Sequence, residues 1–146
     1  LHRNFQGYTT DDAETLIGLG PSAISSFQQG IAQNVAATGD WQNRVSTGRL
    51  STARGHRHSP MDRLAAHVIE RLMCDCAVDL AAMATEHGVD SASLVHRAQS
   101  IIHAFPGIAT LDGACLVARG RETVRLLATS FDPGYENAEG VYSQAS

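Results

Sequence analysis

The sequence predicts an α+β chain that is mainly helical. From Ser59 to Phe131, apolar residues recur at the three- and four-residue intervals that are typical of amphipathic helices. Within this region, two short apolar runs separated by Asp112-Gly113 are instead typical of a β-hairpin. Nearer the N-terminus, the apolar run Leu16–Leu19 is closed by Gly20 and Pro21, which is the pattern of a short buried strand in a parallel sheet. The hydrophobic content of 43% is sufficient for a globular core.

The first part of the chain is predicted to contain one strand and one helix. The strand covers Thr15–Leu19 and follows a polar, turn-rich segment. The helix covers Ser25–Ala37, because Phe27, Ile31 and Val35 recur four residues apart. A long polar connection punctuated by glycine then leads to the second part, and such a length without clear structure is typical of a functional loop or one covered by a partner.

A helix start is predicted at Ser59-Pro60-Met61-Asp62. Serine is a good N-cap, proline suits the first helical position, and aspartate favours the positive end of the helix dipole. The residues that follow place one apolar stripe along the helix. This stripe consists of Met61, Leu64, Ala65, Val68 and Leu72.

The rest of the chain is predicted to add helices and a hairpin. The three helices run over Asp79–His87, from Asp90 or Ser91 to Phe105, and over Arg121–Phe131. The hairpin turns at Asp112-Gly113, between apolar runs that begin at Ile108 and Ala114. The resulting order of three helices, a hairpin and a helix is winged-helix-like.

The composition excludes several classes of function. With 15 acidic and 11 basic residues, all of the latter arginine, the net charge is −4, so the chain has no overall attraction for nucleic acid or acidic membranes. No apolar run is long enough to span a membrane. The three cysteines suggest no disulfide framework, and we therefore expect a reduced, cytoplasmic protein.

Three consecutive motifs carry a family resemblance. They are Asn4-Phe5-Gln6-Gly7-Tyr8-Thr9-Thr10, then Gly18-Leu19-Gly20-x-Ser22-Ala23-Ile24-Ser25, then Ala32-Gln33-Asn34. In order and spacing they resemble oxygen-independent coproporphyrinogen III oxidase, a radical S-adenosyl-L-methionine (SAM) enzyme of haem biosynthesis. Thr9 after Tyr8 favours the oxidase over the related haem-chaperone-like family, which usually has Trp at that place.

The resemblance implies that the chain is the C-terminal portion of such an oxidase. Residues 1–58 would be the C-terminal edge of the radical SAM barrel with a trailing loop, residues 59–135 a helical C-terminal domain covering the active site, and residues 136–146 a loose tail. The parent would convert coproporphyrinogen III to protoporphyrinogen IX by radical oxidative decarboxylation, with SAM and a 4Fe-4S cluster on a CxxxCxxC motif. This chain starts at Leu1 and has no such motif. We therefore expect the motif upstream, and the chain alone to be inactive and to hold no cofactor.

The resemblance also implies the positions that contact SAM. Gln6 would offer its side-chain amide to a polar edge of the ligand, and Ile24 would pack on an apolar face. Gly18 and Gly20 would let the backbone approach the ligand closely. The alternative is that Gln6 bonds within its own loop and that Ile24 belongs to the core. The same glycines match part of a dinucleotide-binding fingerprint. That fingerprint requires a complete strand–helix–strand unit, which is not evident in this sequence.

A basic stretch offers candidate substrate-binding residues. Five of the 11 arginines lie between Arg44 and Arg63, and they are accompanied by one acid, Asp62. Because guanidinium groups bind carboxylates in bidentate fashion and coproporphyrinogen carries four propionates, we predict that Arg49, Arg54 and Arg57 hold substrate. The alternative is an ordinary solvated loop.

No catalytic or metal-ligating residue is predicted. The pairs His56-x-His58 and Cys74-x-Cys76 lack the spacing of a usual zinc site. The remaining histidines show no recognised metal or catalytic spacing; they include His67, His87, His96 and His103.

Two other functions stay open beside the oxidase. One is a winged-helix nucleic-acid-binding module, although the third helix of the second part carries only Arg97 as a full charge. The other is a haem-binding paralogue. We expect a tetrapyrrole substrate and the rest of the barrel as partners, and neither nucleic acid nor membrane. Alone, the chain is expected to self-associate, because its barrel strand would have an open edge.

Overall fold

The computed structural model describes residues 1–4 and 7–133. The chain divides into two compact units, of which the first is Leu1–Ser59 and the second begins at Pro60. Gln6 and the tail predicted over residues 136–146 lie outside the described residues. Within the described part, no helix has the length and apolar composition needed to cross a membrane.

The first unit consists of small antiparallel sheets and a helix. Its elements are β1 (His2–Asn4), β2 (Gly7–Thr9), β3 (Ile24–Phe27), β4 (Gly30–Asn34), α1 (Thr38–Ser46) and β5 (Thr52–Arg57). β1 pairs with β2, and β4 lies between β3 and β5 in a three-stranded sheet. A two-residue turn joins β3 to β4, with Phe27 opposite Gly30.

The strand predicted over Thr15–Leu19 is wrong. Leu16 alone pairs like a strand residue: its N–H donates to the Ser26 carbonyl oxygen (2.9 Å) and its carbonyl oxygen accepts from the Ser26 N–H (2.8 Å). Ile17 and Leu19 are exposed. An apolar run forms a buried strand only where strands flank it on both sides, and in the described part this run has β3 alone as a neighbour.

The helix predicted over Ser25–Ala37 is also wrong, because this segment forms β3 and β4. A four-residue interval puts Ile31 and Val35 on one side of a helix, but every even interval also puts residues on one face of a strand. The interval alone therefore could not distinguish a helix from a strand. Gly30 favours the strands: its φ of 157° is not helical, and the residue lies against the backbone of β5, where a side chain would not fit.

The long polar connection predicted after the first helix contains α1 and β5. No residue of α1 is buried, and every residue of β5 is exposed. Because neither element has a buried apolar face, neither the helical nor the strand period stands out in the sequence.

The second unit combines helices with a three-stranded antiparallel sheet. Its elements are α2 (Pro60–Asp75), β6 (Ala77–Asp79), α3 (Leu80–His87), α4 (Ser91–Ala104), β7 (Ala109–Asp112), β8 (Cys115–Ala118) and α5 (Arg121–Thr129). In the sheet, β8 lies between β6 and β7.

The helix boundaries of the second unit agree with the sequence predictions to within two residues, the largest difference being the end of α5 at Thr129 where Phe131 was predicted. The Asp79 carboxylate accepts hydrogen bonds from the first backbone N–H groups of α3, and the Asp90 carboxylate does the same for α4. Gly88, with a φ of 65°, ends α3 in the left-handed conformation that glycine adopts without strain. α2 begins at Pro60, as predicted.

α2 buries Leu64, Val68 and Leu72 of its predicted apolar stripe. Leu72 of α2, Leu127 of α5 and Leu116 of β8 are fully buried in one hydrophobic core. Met61 was predicted on the same stripe as Leu72, and this prediction is wrong, because Met61 lies in the exposed first turn of α2.

In the second unit, β6 is the element that the sequence analysis missed. It follows directly after α2, where Cys76 takes a φ of 59° and its N–H donates to the Leu72 carbonyl oxygen (2.9 Å). A non-glycine residue rarely adopts this conformation, so the sequence gives no turn signal there. The predicted hairpin of β7 and β8 is confirmed, but its turn is Gly113-Ala114, one residue later than predicted, because Asp112 pairs with Cys115 at the end of β7.

Candidate cofactor and substrate site

Ile24 lies in a row of side chains across the three-stranded sheet of the first unit. Ile24 on β3 is opposite Gln33 on β4, and Gln33 is opposite Arg54 on β5. Directly opposed residues share one face of a sheet, so these three side chains lie on the same face, with Ile24 and Arg54 about 10 Å apart across two strand spacings. The Arg54 Nε donates to Gln33 Oε1 (2.8 Å). We call residues 18–23, which precede this row, the glycine loop.

Two side-chain amides of β4, which we call the amide clamp, hold the glycine loop. Asn34 Nδ2 donates to the carbonyl oxygens of Gly18 (3.3 Å) and Gly20 (2.9 Å). Gln33 Nε2 donates to the carbonyl oxygen of Ser22 (3.0 Å). Backbone carbonyl groups that would otherwise need water are thereby satisfied by fixed donors. The clamp consists of two residues of the third sequence motif, for which the sequence analysis gave no structural role.

Gly18 lies directly on the backbone of Ile24. A Cβ atom at position 18 would be 2.5 Å from the Ile24 carbonyl oxygen and 2.9 Å from its nitrogen. The Gly18 N–H also donates to the hydroxyl oxygen of the buried Ser25 (3.0 Å). Only glycine allows this approach, so the loop and β3 are held together at the position where Ile24 projects.

Ser22 adds a strained position to the same loop. Its φ is 61°, a conformation that costs a non-glycine residue roughly 1–3 kcal/mol. Its N–H donates to the Val35 carbonyl oxygen (2.9 Å), and the neighbouring Ala23 carbonyl oxygen accepts from the Asn34 N–H (3.0 Å). The end of β4 and the residue after it therefore hold Ser22 and Ala23 in place. Strained backbone positions of this kind cluster at ligand sites.

The structure separates the three arginines that were predicted to bind substrate. Arg54 and Arg57 both lie on β5 and are exposed. Because they are three residues apart, they point to opposite faces of the strand. Arg49 lies in the connection before β5, where its N–H donates to the Arg44 carbonyl oxygen (2.9 Å). Of the three, only Arg54 shares a face with Ile24.

Arg57 faces an open groove at the turn end of the sheet. The groove has a volume of about 490 Å³, and its apolar walls include Phe27 and Ile31. The polar residues that line it are Gln29, His56 and Arg57. A groove with apolar walls and a guanidinium at its edge can accept a flat apolar ring with a carboxylate arm. Gln6, the other residue predicted to contact the cofactor, lies outside the described residues.

The second unit brings together three polar side chains that the sequence analysis left scattered. His67 on α2 lies beside Glu86 and His87 at the end of α3. About 20 residues separate the two histidines in sequence, and only the packing of α2 on α3 makes them neighbours. No spacing rule could have identified this cluster.

The Cys74 thiol has a clearly shifted pKa. Burial raises the pKa of the Cys74 thiol, and the negative charge of Glu70 raises it further. This shift favours the neutral thiol. Cys74 therefore resembles a packed structural cysteine, which agrees with the sequence analysis, and not an activated nucleophile.

Comparison with solved structures identifies the class of protein to which this fold corresponds. The chain matches a coproporphyrinogen III oxidase (HemN) from Escherichia coli, described as a radical SAM enzyme, with a TM-score of 0.82 and 27% sequence identity. The match covers 91% of this chain and 32% of that structure. The mixture of helices and small sheets is thus that of part of a radical SAM enzyme.

Curated sequences identify the family more closely, whereas no family model matches the chain. An oxygen-independent coproporphyrinogen III oxidase from Paracoccus denitrificans is 44% identical over 147 residues, covering 99% of this chain and 32% of that protein. An anaerobic coproporphyrinogen III oxidase from Cereibacter sphaeroides is 42% identical over 149 residues, covering all of this chain and 33% of that protein. The resemblance predicted from the motifs is confirmed: over its whole length the chain is homologous to the oxygen-independent coproporphyrinogen III oxidases. It spans about one third of the length of these relatives.

Proposed function

We propose that this chain acts as the C-terminal portion of an oxygen-independent coproporphyrinogen III oxidase. The observation that carries the proposal is the glycine loop, clamped by β4 and packed on Ile24, in a chain whose curated relatives bear that name. Such a rigid loop beside a half-buried apolar residue can hold one ligand in one position. The chain spans about a third of the length of its relatives. We therefore place the activity in a longer protein and assign residues 1–58 to the end of its catalytic barrel.

The residues present fit SAM as the ligand of this loop. Ile24 offers apolar surface, Gly18 brings the backbone close, and the amide clamp leaves the loop carbonyl oxygens already paired. Gln6 supplies an amide from the preceding motif. When bound, SAM together with a 4Fe-4S cluster supplies the radical chemistry of hydrogen abstraction. The residues of this chain bind and orient the cofactor, and the cluster ligands lie on another part of the longer protein.

We assign the edge strand β5 of the same sheet to the tetrapyrrole. Arg54 shares the face of Ile24, so a propionate bound there would lie on the same face as the cofactor contact. Arg57 points to the opposite face, at the open groove, so it would bind a second propionate only of a ring that lies across this edge of the sheet. Arg49, away from the strand, is the weakest of the three predicted contacts. The alternative of a haem-binding paralogue would use the same arginines without turnover.

We further infer that the second unit is a winged-helix-like C-terminal domain covering about residues 59–135. Its order of helix, strand, two helices, hairpin and helix supports this description, with β8 between β6 and β7. A role in nucleic-acid binding would need basic side chains on α4. Arg97, however, donates to the Ser130 carbonyl oxygen (2.9 Å), and its guanidinium lies over the Phe131 ring. This engagement favours a structural role for Arg97.

A segment exchange tests the proposed function. The aligned third of the Paracoccus denitrificans oxidase is replaced by this chain, and the product of coproporphyrinogen III is measured under anaerobic conditions with SAM and a reductant. We expect the cluster-loaded chimera to form protoporphyrinogen IX. A chimera that is folded, carries the cluster and binds SAM but gives no product would contradict the proposal.

Substitutions in the active chimera then separate cofactor contacts from substrate contacts. Ile24→Ala is expected to weaken SAM binding roughly threefold to a hundredfold and to leave the KM for the tetrapyrrole unchanged. Arg57→Ala is expected to raise that KM and to leave SAM binding unchanged. The matched controls are Val45→Ala, an exposed truncation in α1, and Arg121→Ala, an exposed charge removal in α5. If Ile24→Ala behaves like Val45→Ala, Ile24 is not a cofactor contact.

A further inference from the structure

We propose that His67, Glu86 and His87 form a binding site for a divalent transition metal ion, with Zn²⁺ as the best fit. The ligand atoms of these three side chains all lie within 4.8 Å of one another. His67 Nδ1 is 3.2 Å from His87 Nε2 and 3.4 Å from Glu86 Oε1. This cluster lies entirely within the second unit and is independent of the cofactor and substrate site.

The two distances agree with the geometry of a tetrahedral zinc site. Zinc binds imidazole nitrogen and carboxylate oxygen at about 2.0–2.2 Å, so two ligand atoms of one tetrahedral ion are about 3.3–3.6 Å apart. The separation of 3.4 Å from His67 Nδ1 to Glu86 Oε1 lies in this range, and that of 3.2 Å to His87 Nε2 lies just below it. The ligand atoms of Glu86 and His87 also lie within 4.8 Å of each other, so rotation of these two side chains would have to complete the site around an ion.

The donor set also selects the kind of metal. Two imidazoles and one carboxylate are a common zinc ligand set, and they leave a fourth position for water. Imidazole donors favour zinc, copper and nickel, whereas calcium and magnesium prefer oxygen donors. The site is half-open to solvent, since the His67 side chain is 29% exposed and that of Glu86 58%. An ion can therefore reach it directly.

The surrounding helices hold the donors in place. His67 precedes the buried Val68 on α2, and the two α3 ligands follow the buried Met83 and Ala84. α3 ends at His87, so the negative end of its dipole lies beside the site and favours a cation. A bound ion would tie the end of α3 to the middle of α2.

A hydrogen-bonded network is the explanation that competes with metal binding. The His67 N–H could donate to the His87 nitrogen and to the Glu86 carboxylate without any ion. The two explanations make opposite predictions about metal affinity, so titration decides between them.

The experiment titrates the chelator-treated, 146-residue chain with Zn²⁺ in competition with a chromophoric chelator, and repeats it with Co²⁺. We expect one Zn²⁺ per chain and the visible absorption of tetrahedral Co²⁺ without a thiolate charge-transfer band. His67→Ala and His87→Ala should each weaken binding about tenfold or more, because even changes around a ligand cost 10–100-fold. His56→Ala, from the other close histidine pair, and His96→Ala, on α4, should bind as the unmodified chain does.

Two further measurements keep the test decisive. Circular dichroism without metal shows whether each variant is folded. If a histidine variant unfolds, Glu86→Gln replaces it in the titration, because Glu86 is the more exposed of the two ligands with a stated side-chain exposure. Glu86→Gln should also bind Zn²⁺ more weakly than the unmodified chain. A higher melting temperature with Zn²⁺ is expected in the unmodified chain and not in His87→Ala. The proposal is overturned if the chain binds no Zn²⁺, if a thiolate band appears, or if folded His67→Ala or Glu86→Gln retains full affinity.

Discussion

The two units of the chain are stabilised in different ways. Among the described residues, every buried hydrophobic side chain belongs to the second unit, where the helices and β8 share one core. The first unit buries Ser25 and Ser51 instead and exposes large apolar residues such as Leu19 (88%) and Leu50 (89%). Strand ladders and side-chain amides hold it together, and its described residues form no apolar core.

This difference indicates how each unit reaches a stable state. Apolar burial is the dominant favourable term in folding, so the second unit has what an independent domain requires. Hydrogen bonds contribute little net free energy where water can replace them, so the first unit depends on cover that the described residues do not supply. We infer that the missing cover is the rest of a catalytic barrel, in agreement with the function proposed above.

Leu72→Ala should have the largest effect of any single truncation. Leu72 is fully buried in the core, so its loss should lower the free energy of unfolding of the second unit by about 2–5 kcal/mol. Urea unfolding followed by circular dichroism measures the change. Met61→Ala on the same helix is the control, and it should cost less than about 0.5 kcal/mol. Equal effects of the two substitutions would mean that the core has been misassigned.

Gly18→Ala should loosen the first unit without affecting the second. The added methyl group would meet the Ile24 backbone and force the glycine loop away, at a cost of about 1–3 kcal/mol. Limited proteolysis should then cut near residues 18–23 faster, and the active chimera should lose SAM affinity. Gly39→Ala, where a Cβ meets nothing within 4 Å, is the control and should leave both unchanged. A Gly18→Ala variant with normal cleavage and SAM binding would refute the close-approach argument.

Asn34→Ala should give a smaller effect of the same kind. It removes the donor to the Gly18 and Gly20 carbonyl oxygens, and each such bond contributes about 0.5–1.5 kcal/mol. In the chimera, we expect a moderate loss of SAM affinity, measured by equilibrium binding. Asn43→Ala in α1, an exposed position, serves as the control. If Asn34→Ala binds SAM normally, the amide clamp does not order the loop.

The smallest expected effect concerns Cys74, at the end of α2 in the second unit. Because burial and Glu70 raise the pKa of the Cys74 thiol, its alkylation should reach half its maximal rate at a higher pH than in a short peptide of residues 71–77. The sign follows from the thiolate being the reactive form, so a raised pKa shifts reactivity upward in pH. Mass spectrometry of quenched samples gives both profiles. Identical midpoints would show that packing does not reach Cys74.

The sequence predicts more of the second unit than of the first, and the physical reason is again the difference in apolar burial. In the second unit, burial imposes an apolar period, so α2 and α4 could be placed from Leu72, Leu94 and similar residues together with their caps. In the first unit, β5 is wholly exposed and leaves no period to detect. The motifs of the first unit predicted the family resemblance but not the strands. They indicated Ile24 as a candidate contact, but they did not predict the amide clamp. The His67–His87 contact depends on helix packing, which no local pattern encodes.

Hydrogen–deuterium exchange of the isolated chain and of the chimera tests the central difference between the units most directly. In the isolated chain we expect the amides of β3 to β5 to exchange much faster than those of α2 and α4. In the chimera, β3 to β5 should become strongly protected, while α2 and α4 should remain as before. Equal protection of β3 to β5 in both proteins would contradict the account, because the first unit would then be stable without the cover that we infer.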